Sequence, residues 1–299
     1  MESRLDKTIN PTNYSMSKVF AWVNSDLDGI GSTILLGNMF SNFDYRNIFF
    51  GDFQEAFTEW WENCGDDYDK VFVVGMPLDQ TMVNKLDDYK IIFVSDMKER
   101  PNVFDSTLIQ EETTSCTKLL YQKFKDKIDF PVNLKKFFVY VDDYNSYEVK
   151  HDETLYLNAL YRKSGGFRFQ KFVNRFWKGF DGFTESEKQK AEKFFDEWDE
   201  EVGNLELYQG EFKGFKVLST FSKFSVNEIA HTLLDKHDVD VVIVVNPDTK
   251  FVSFRKAKDS KASAQMMAEK LCDGGGSESA AGGKITQKFM EFGQSLLEL

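Results

Sequence analysis

The sequence predicts an α/β protein with three parts: a parallel-sheet domain over residues 1–151, a helical connector over 152–208, and a smaller α/β domain over 209–299 that carries a glycine-rich loop. Three observations lead to this. Short apolar runs of strand length alternate with amphipathic stretches through the first half, the pattern of parallel strands joined by crossover helices. Strand signals stop near Asp152, and the pattern is helical as far as Tyr208. Apolar runs then return, and the last is followed by a helical stretch and by Gly274-Gly275-Gly276.

In chain order, the first-half strands are expected at Lys18–Val23, Tyr45–Phe50, Val71–Val74, Ile91–Val94 and Phe137–Val141. Thr114–Phe124 reads as a helix, because Cys116, Leu119, Leu120 and Phe124 recur at helical spacing. In the connector, Phe169, Phe172, Phe176 and Phe180 make one apolar face. Residues 185–201 are strongly charged, with Phe194, Phe195 and Trp198 as the buried positions. In the last part, Phe215–Thr220 is a strand and Val226–Lys236 a helix. Val239–Val245 and Phe251–Arg255 form a strand pair joined by the Asn246-Pro247-Asp248 turn, and Ala262–Leu271 is a helix. Ligands of parallel α/β sheets sit at the carboxyl ends of the strands, so the residues just after each strand carry the functional reading.

Composition narrows the function classes. An apolar fraction of 41% supports real cores, and 30 Phe make them aromatic. The net charge of −12 repels polyanions, which argues against long nucleic acid as a general ligand and leaves room for a small nucleotide or short oligonucleotide in a local basic pocket. Cys64, Cys116 and Cys272 lie far apart with no metal-like spacing and read as reduced thiols. With no apolar run near the ~20 residues of a membrane span, and no signal-peptide core at the N-terminus, a cytoplasmic protein without membrane contact is expected.

The decapeptide from Gly274 to Gly283, GGGSESAAGG, resembles the GGGHxxAAG signature of the DHH-family phosphoesterases, with Ser277 in place of the histidine. Four further segments resemble motifs of that family in the same order. Asn24-Ser25-Asp26-Leu27-Asp28-Gly29 is similar to the HxDxDG motif, with Asn24 at the histidine. The strand Val71–Val74 runs into Gly75-Met76, where the family has a bridging aspartate; Asp79 comes a few residues late. Ser95-Asp96-Met97-Lys98 occupies the Asp-His-His motif and keeps only Asp96. Asp142-Asp143-Tyr144-Asn145 looks like the family's DDYD, with Asn145 at the metal-binding aspartate. The likeness runs from about residue 18 to 285. It implies a DHH-like first domain, two Mn²⁺ ions in active members, and a C-terminal domain of the kind that holds substrate phosphate. In the last, Val252-Ser253-Phe254-Arg255 resembles the S-x-R strand.

A two-metal phosphodiesterase needs several hard or borderline donors converging on ions ~3.5–4 Å apart. By the resemblance, two histidines, a bridging carboxylate and a strand-end aspartate are replaced here by Asn24, Met97, Gly75 or Met76, and Asn145, while Lys98 adds positive charge. The residues that match catalytic positions (Asn24, Asp26, Asp28, Asp96, Asn145) therefore read as vestigial. No metal or other cofactor is expected; if the protein is active, Mn²⁺ or Mg²⁺ would be held by Asp26, Asp28, Asp96 and Asp142. The ligand-holding residues fare better. Arg255 offers a planar, permanently charged fork, and Ser253, Gly274, Gly275, Gly276 and Ser277 stand with it.

The leading expectation is a pseudo-enzyme that binds a small nucleotide, a short oligonucleotide or a protein partner without cleaving it. The alternatives are a phosphodiesterase with a rebuilt metal site and a purely structural subunit. Plainer readings stand beside the sharp ones. Asp26 and Asp28 can simply cap a helix, Arg255 can make an ion pair, and the glycines can serve a tight turn. The acid-free basic run Arg162, Lys163, Arg168, Lys171, Arg175 and Lys178 can be a solvated face, His231 and His237 ordinary surface or core side chains, and Trp60-Trp61 core packing.

Overall fold

The computed structural model describes residues 17–76, 90–96, 108–111, 113–223 and 226–297. Asp79, Met97 and Lys98 lie outside them. The chain divides into two compact units, 1–194 and 195–299.

The first unit is built on a five-stranded, wholly parallel sheet of order β2-β1-β3-β4-β5. Its strands are β1 (Lys18–Asn24), β2 (Asn42–Ile48), β3 (Lys70–Val74), β4 (Ile91–Ser95) and β5 (Leu108–Gln110). Helices α1 (Leu27–Met39) and α2 (Phe53–Cys64) follow β1 and β2. After β5 come α3 (Cys116–Phe124), α4 (Val132–Ser146), α5 (Asp152–Lys163) and α6 (Arg168–Phe176), then α7 (Glu185–Gly203), within which the two units meet in sequence. β1, β3 and β4 are almost wholly buried, which is why they read as continuous apolar runs. On one face Phe20, Trp22, Phe53 and Phe57 form an aromatic core, with Trp60 and Trp61 packed against it, so the tryptophan pair is core material.

Two expectations are corrected. Phe137–Val141 is not a strand; it lies inside helix α4. Leu134, Phe137, Phe138 and Val141 are buried at helical spacing, whereas Val139 between them is 51% exposed. A five-residue apolar window cannot separate the two periods. The fifth strand is instead the three-residue β5. The second strand covers Asn42–Ile48, earlier than Tyr45–Phe50; its half-exposed, alternating residues hide its start.

The apolar face of the connector is buried inside its own unit. Phe169, Phe172, Phe176 and Phe180 are all covered, and Phe176 stacks on Phe137 at 5.0 Å. That burial takes this stripe out of the surface, while Phe167 (89% exposed) and Trp177 (36%) on the same segment stay outside it. Arg175, from the basic run, pairs with Glu187 and Asp181.

The second unit holds a six-stranded mixed sheet of order β10-β11-β9-β8-β7-β6. The strands are β6 (Tyr208–Phe212), β7 (Phe215–Phe221), β8 (Val241–Asn246), β9 (Phe251–Lys256), β10 (Gly275–Gly276) and β11 (Ala280–Lys284). Only β7 and β8 pair in parallel, joined by α8 (Val226–Lys236). One face of the sheet packs on α9 (Ala264–Cys272) and α10 (Gln287–Leu297); the other packs on α8 and the end of α7. The Asn246 side chain closes the β8–β9 turn by accepting from the N–H groups of Asp248 and Thr249, both at 3.0 Å.

Among the described residues no helix is long and apolar enough to cross a membrane.

Candidate functional site

The site in the first unit forms where β1 and β4 end and where α1 and α3 begin. β1 delivers Asn24, and the chain turns at once into α1 with Asp26 as its cap; Asp26 accepts from the Gly29 N–H at 2.8 Å. The loop is held by Ser25, whose carbonyl accepts from Tyr161 Oη at 2.8 Å and whose N–H reaches Ile48 O at 3.0 Å. Asn24 turns its side-chain N–H onto the Asp26 carboxylate. Asp28, in the first turn of α1, reaches across to the start of α3. It accepts from the N–H of Cys116 at 2.9 Å and of Thr117 at 2.8 Å, while Thr117 Oγ1 donates to its backbone carbonyl at 2.9 Å. A helix N-terminus has unpaired N–H groups to give, and a carboxylate satisfies two of them at once.

Asp96 follows β4. The Cys116 thiol donates to it at 3.4 Å, and one donor atom each from Asp28, Asp96 and Cys116 lie within 4.8 Å of one another. Among the described residues this is the cluster of metal-binding size; Asp26 and Asp142 stand outside it. Asp142 sits on α4 rather than at a strand end. It accepts from Thr114 and from Ser115 Oγ (2.8 Å) and pairs with Lys118 at 3.1 Å. Asn145, one turn on, donates its side-chain N–H to Thr114 O at 2.6 Å. At the remaining motif position, Met76 packs into the aromatic core, and Gly75 faces Cys116: a β-carbon on Gly75 would lie 3.5 Å from the sulfur.

The cluster is crowded electrostatically. Burial, with the Asp26 and Asp96 charges close by, pushes the Asp28 carboxyl up to about 7. Burial also raises Asp26 and Asp96. The Cys116 thiol is lifted well above its usual range, by burial first and then by the Asp28 and Asp96 charges.

Cys116 is the member of this cluster that the sequence reading missed. Spacing between cysteines says nothing about a thiol whose partners are carboxylates in other parts of the chain. A signal was nonetheless present. Thr114-Ser115-Cys116-Thr117 opens a helix with Ser115 as its cap, accepting from Lys118 N–H at 3.1 Å. In a parallel α/β sheet the helix after a strand starts at the carboxyl edge, beside the other motifs.

In the second unit, Ser253 and Arg255 lie on β9, paired across β11 with Gly282 and Ala280. Arg255 donates to Phe254 O at 2.8 Å and Ala281 O at 3.4 Å. Burial first, and then the Arg255 charge, hold the His231 imidazole down at about 4, so His231 is neutral at ordinary pH. The triple glycine is part of a hairpin. Gly276 has φ +145°, and a β-carbon there would meet Ala280 O at 2.5 Å; one on Gly274 would meet Gly282 O at 2.2 Å. Ser277 closes the turn, its N–H reaching Ala280 O at 2.8 Å.

No protein-family model matches the chain, and no curated protein matches it. Solved structures do. PggH, a pGpG-specific phosphodiesterase from Vibrio cholerae, superposes with a TM-score of 0.58 at 15% identity, over 94% of this chain and 97% of its own. An exopolyphosphatase-related protein from Bacteroides fragilis gives 0.56 at 14%, over 99% and 96%. RecJ from Thermus thermophilus, solved in complex with Mn²⁺, gives 0.61 at 10%, with 99% of this chain covering 54% of RecJ. This is the fold of the DHH-family phosphoesterases. Within the DHH fold, identities this low speak for architecture; what the site does rests on its own residues.

Proposed function

We propose that this DHH-fold protein binds the phosphates of a small nucleotide or short oligonucleotide and does not carry out two-metal hydrolysis. The supporting observation is the behaviour of Asn24 and Asn145. At two positions where the resemblance puts metal ligands, amide N–H groups are turned inward, onto Asp26 and Thr114 O. An amide N–H pointing at such a position is a hydrogen-bond donor, where a metal ion needs a lone pair. RecJ was solved with Mn²⁺, so the donor set here has to be tested against two hard ions. It does not suit them. Two carboxylates and a thiol converge, Asp142 is committed to Lys118 and two hydroxyls, and His151 packs against the Tyr140 ring 5.3 Å away. Mn²⁺ and Mg²⁺ favour carboxylate, carbonyl and water oxygens, and a pair of such ions needs more converging carboxylates than Asp28 and Asp96 supply.

Phosphate recognition is assigned to Arg255, with Ser253 beside it, by the resemblance of that strand and the chemistry of the guanidinium. The choice of ligand class is supported by one structure of the same fold, PggH, which is specific for pGpG. The test is calorimetric titration of the purified protein with pGpG, other linear dinucleotides and nucleoside monophosphates, each with EDTA or Mn²⁺, and with product analysis of every mixture. Binding without metal and without product, lost in Arg255→Ala, is the expected result. Mn²⁺-dependent cleavage that disappears in Asp28→Asn would overturn the reading.

A further inference from the structure

We propose that Asp28, Asp96 and Cys116 form a mononuclear site for one thiophilic divalent cation of the Zn²⁺ class, in place of a centre for two hard ions. Resting on the misfit described above, the donors that converge are too few for two hard ions and a sound set for one zinc. In tetrahedral coordination with Zn–S about 2.3 Å and Zn–O about 2.0–2.2 Å, neighbouring sulfur and oxygen donors stand roughly 3.5 Å apart. Cys116 Sγ is 3.4 Å from Asp96 Oδ1, and the whole triad lies within 4.8 Å.

The donors are also oriented. Backbone N–H groups of Cys116 and Thr117 fix both oxygens of Asp28, and each oxygen keeps a second lone pair for an ion. This is the outer-shell support that metal-binding carboxylates carry. Cys116 is the first residue of α3, behind the Ser115 cap, so the start of the helix fixes where its sulfur sits. Gly75 lies beside the sulfur: a β-carbon there would sit 3.5 Å from it, at ordinary van der Waals distance. Cys116 itself is buried, while Asp28 and Asp96 are half-buried, so three protein donors can close the inner side and leave a fourth position to water. On binding, the thiol gives its proton to solvent and exchanges its contact with Val94 O for the metal. Thiolate is the element of selectivity: it favours zinc over manganese and magnesium.

The test uses the full chain after EDTA treatment, titrated with Co²⁺ as a spectroscopic stand-in. The expected result is one equivalent bound, with a thiolate-to-cobalt charge-transfer band in the near ultraviolet that Zn²⁺ abolishes and equimolar Mn²⁺ does not. Cys116→Ser should remove the band and weaken Zn²⁺ binding by more than the roughly 10–100-fold that loss of a supporting residue costs. Asp96→Asn should weaken Zn²⁺ by about tenfold or more and keep the band. The proposal falls if Co²⁺ binds without a sulfur band, if the band survives in Cys116→Ser, or if Mn²⁺ competes on equal terms. Should Cys116→Ser fail to fold, as read by circular dichroism, the wild-type band and the Asp96→Asn affinity decide. Failure here leaves nucleotide binding untouched, whereas Mn²⁺-dependent cleavage, read by product analysis, sinks the proposed function, and it sinks this proposal as well only if Mn²⁺ also displaces Co²⁺ from the site.

Discussion

Replacing Asp28 by asparagine in the metal-free protein changes how stability depends on pH, and the sign follows from the cluster. The folded-state pKa of Asp28 is raised from 3.8 to about 7. The unfolded chain releases that proton near 3.9. The stabilisation from the bound proton is therefore complete below about 3.9 and is lost as pH rises through about 7. Between pH 5 and pH 8 the protein crosses about two units of that range, a ceiling of about 3 kcal/mol at about 1.4 kcal/mol per unit. Asp28 is half-buried and shares its titration with Asp26 and Asp96, so solvent and coupling reduce the expected loss to ~1–2 kcal/mol. The Asp28→Asn variant also forfeits one of the two side-chain oxygens that accept from backbone N–H groups at the start of α3, a cost that does not depend on pH. His231 titrates with the opposite sign but equally in both proteins, so it cancels in the difference. The assay is urea denaturation of the EDTA-treated wild type and Asp28→Asn at about pH 5, 6, 7 and 8. The stability of the wild type relative to the variant should fall by ~1–2 kcal/mol across the series. A difference constant within about 0.3 kcal/mol, or one that grows with pH, would refute the crowded-carboxylate account.

Gly29→Ala should destabilise the first unit by about 3 kcal/mol or more, because its β-carbon would lie 1.9 Å from Asn24 O and only backbone could yield; thermal unfolding reads it directly. Asp143 accepts from Lys150 N–H, His151 N–H and Thr154 Oγ1; burial pushes its carboxyl up, but these bonds and the His151 charge bring it below the usual range. Asp143→Ala should cost ~1–3 kcal/mol at neutral pH. The wild type should lose that advantage only as pH falls below about 3.9 and through the still lower folded pKa, a loss that acid titration by circular dichroism would follow. His231, held down at about 4, makes the protein less stable as pH falls from about 6.5 toward 4; His231→Gln should flatten that limb, measured by denaturant midpoints at about pH 4.5 and 7.

Much of the chain is legible without coordinates. β1, β3, β4 and the central strands of the second sheet are short apolar runs bounded by polar residues, and hydrophobic burial alone demands that they be strands of an interior. The motifs at strand ends, Asn24 to Gly29 and Asp96, fall at the carboxyl edge because a parallel sheet puts every such end on one side. What misleads is local: Phe137–Val141 is apolar on a window too short to hold a helical period, which puts Asp142 and Asn145 at a strand end when they belong to α4. What only the tertiary structure decided is which donors meet. Cys116 finds Asp28 and Asp96 because α3 begins beside β4 and α1, a proximity set by sheet order and not by spacing along the chain. Asp142 is drawn off to Lys118 for the same reason. Residue type and periodicity determine the elements, since burial acts over a few residues; the chemistry of the site depends on distances of a few ångströms between segments far apart in sequence, which close packing alone sets.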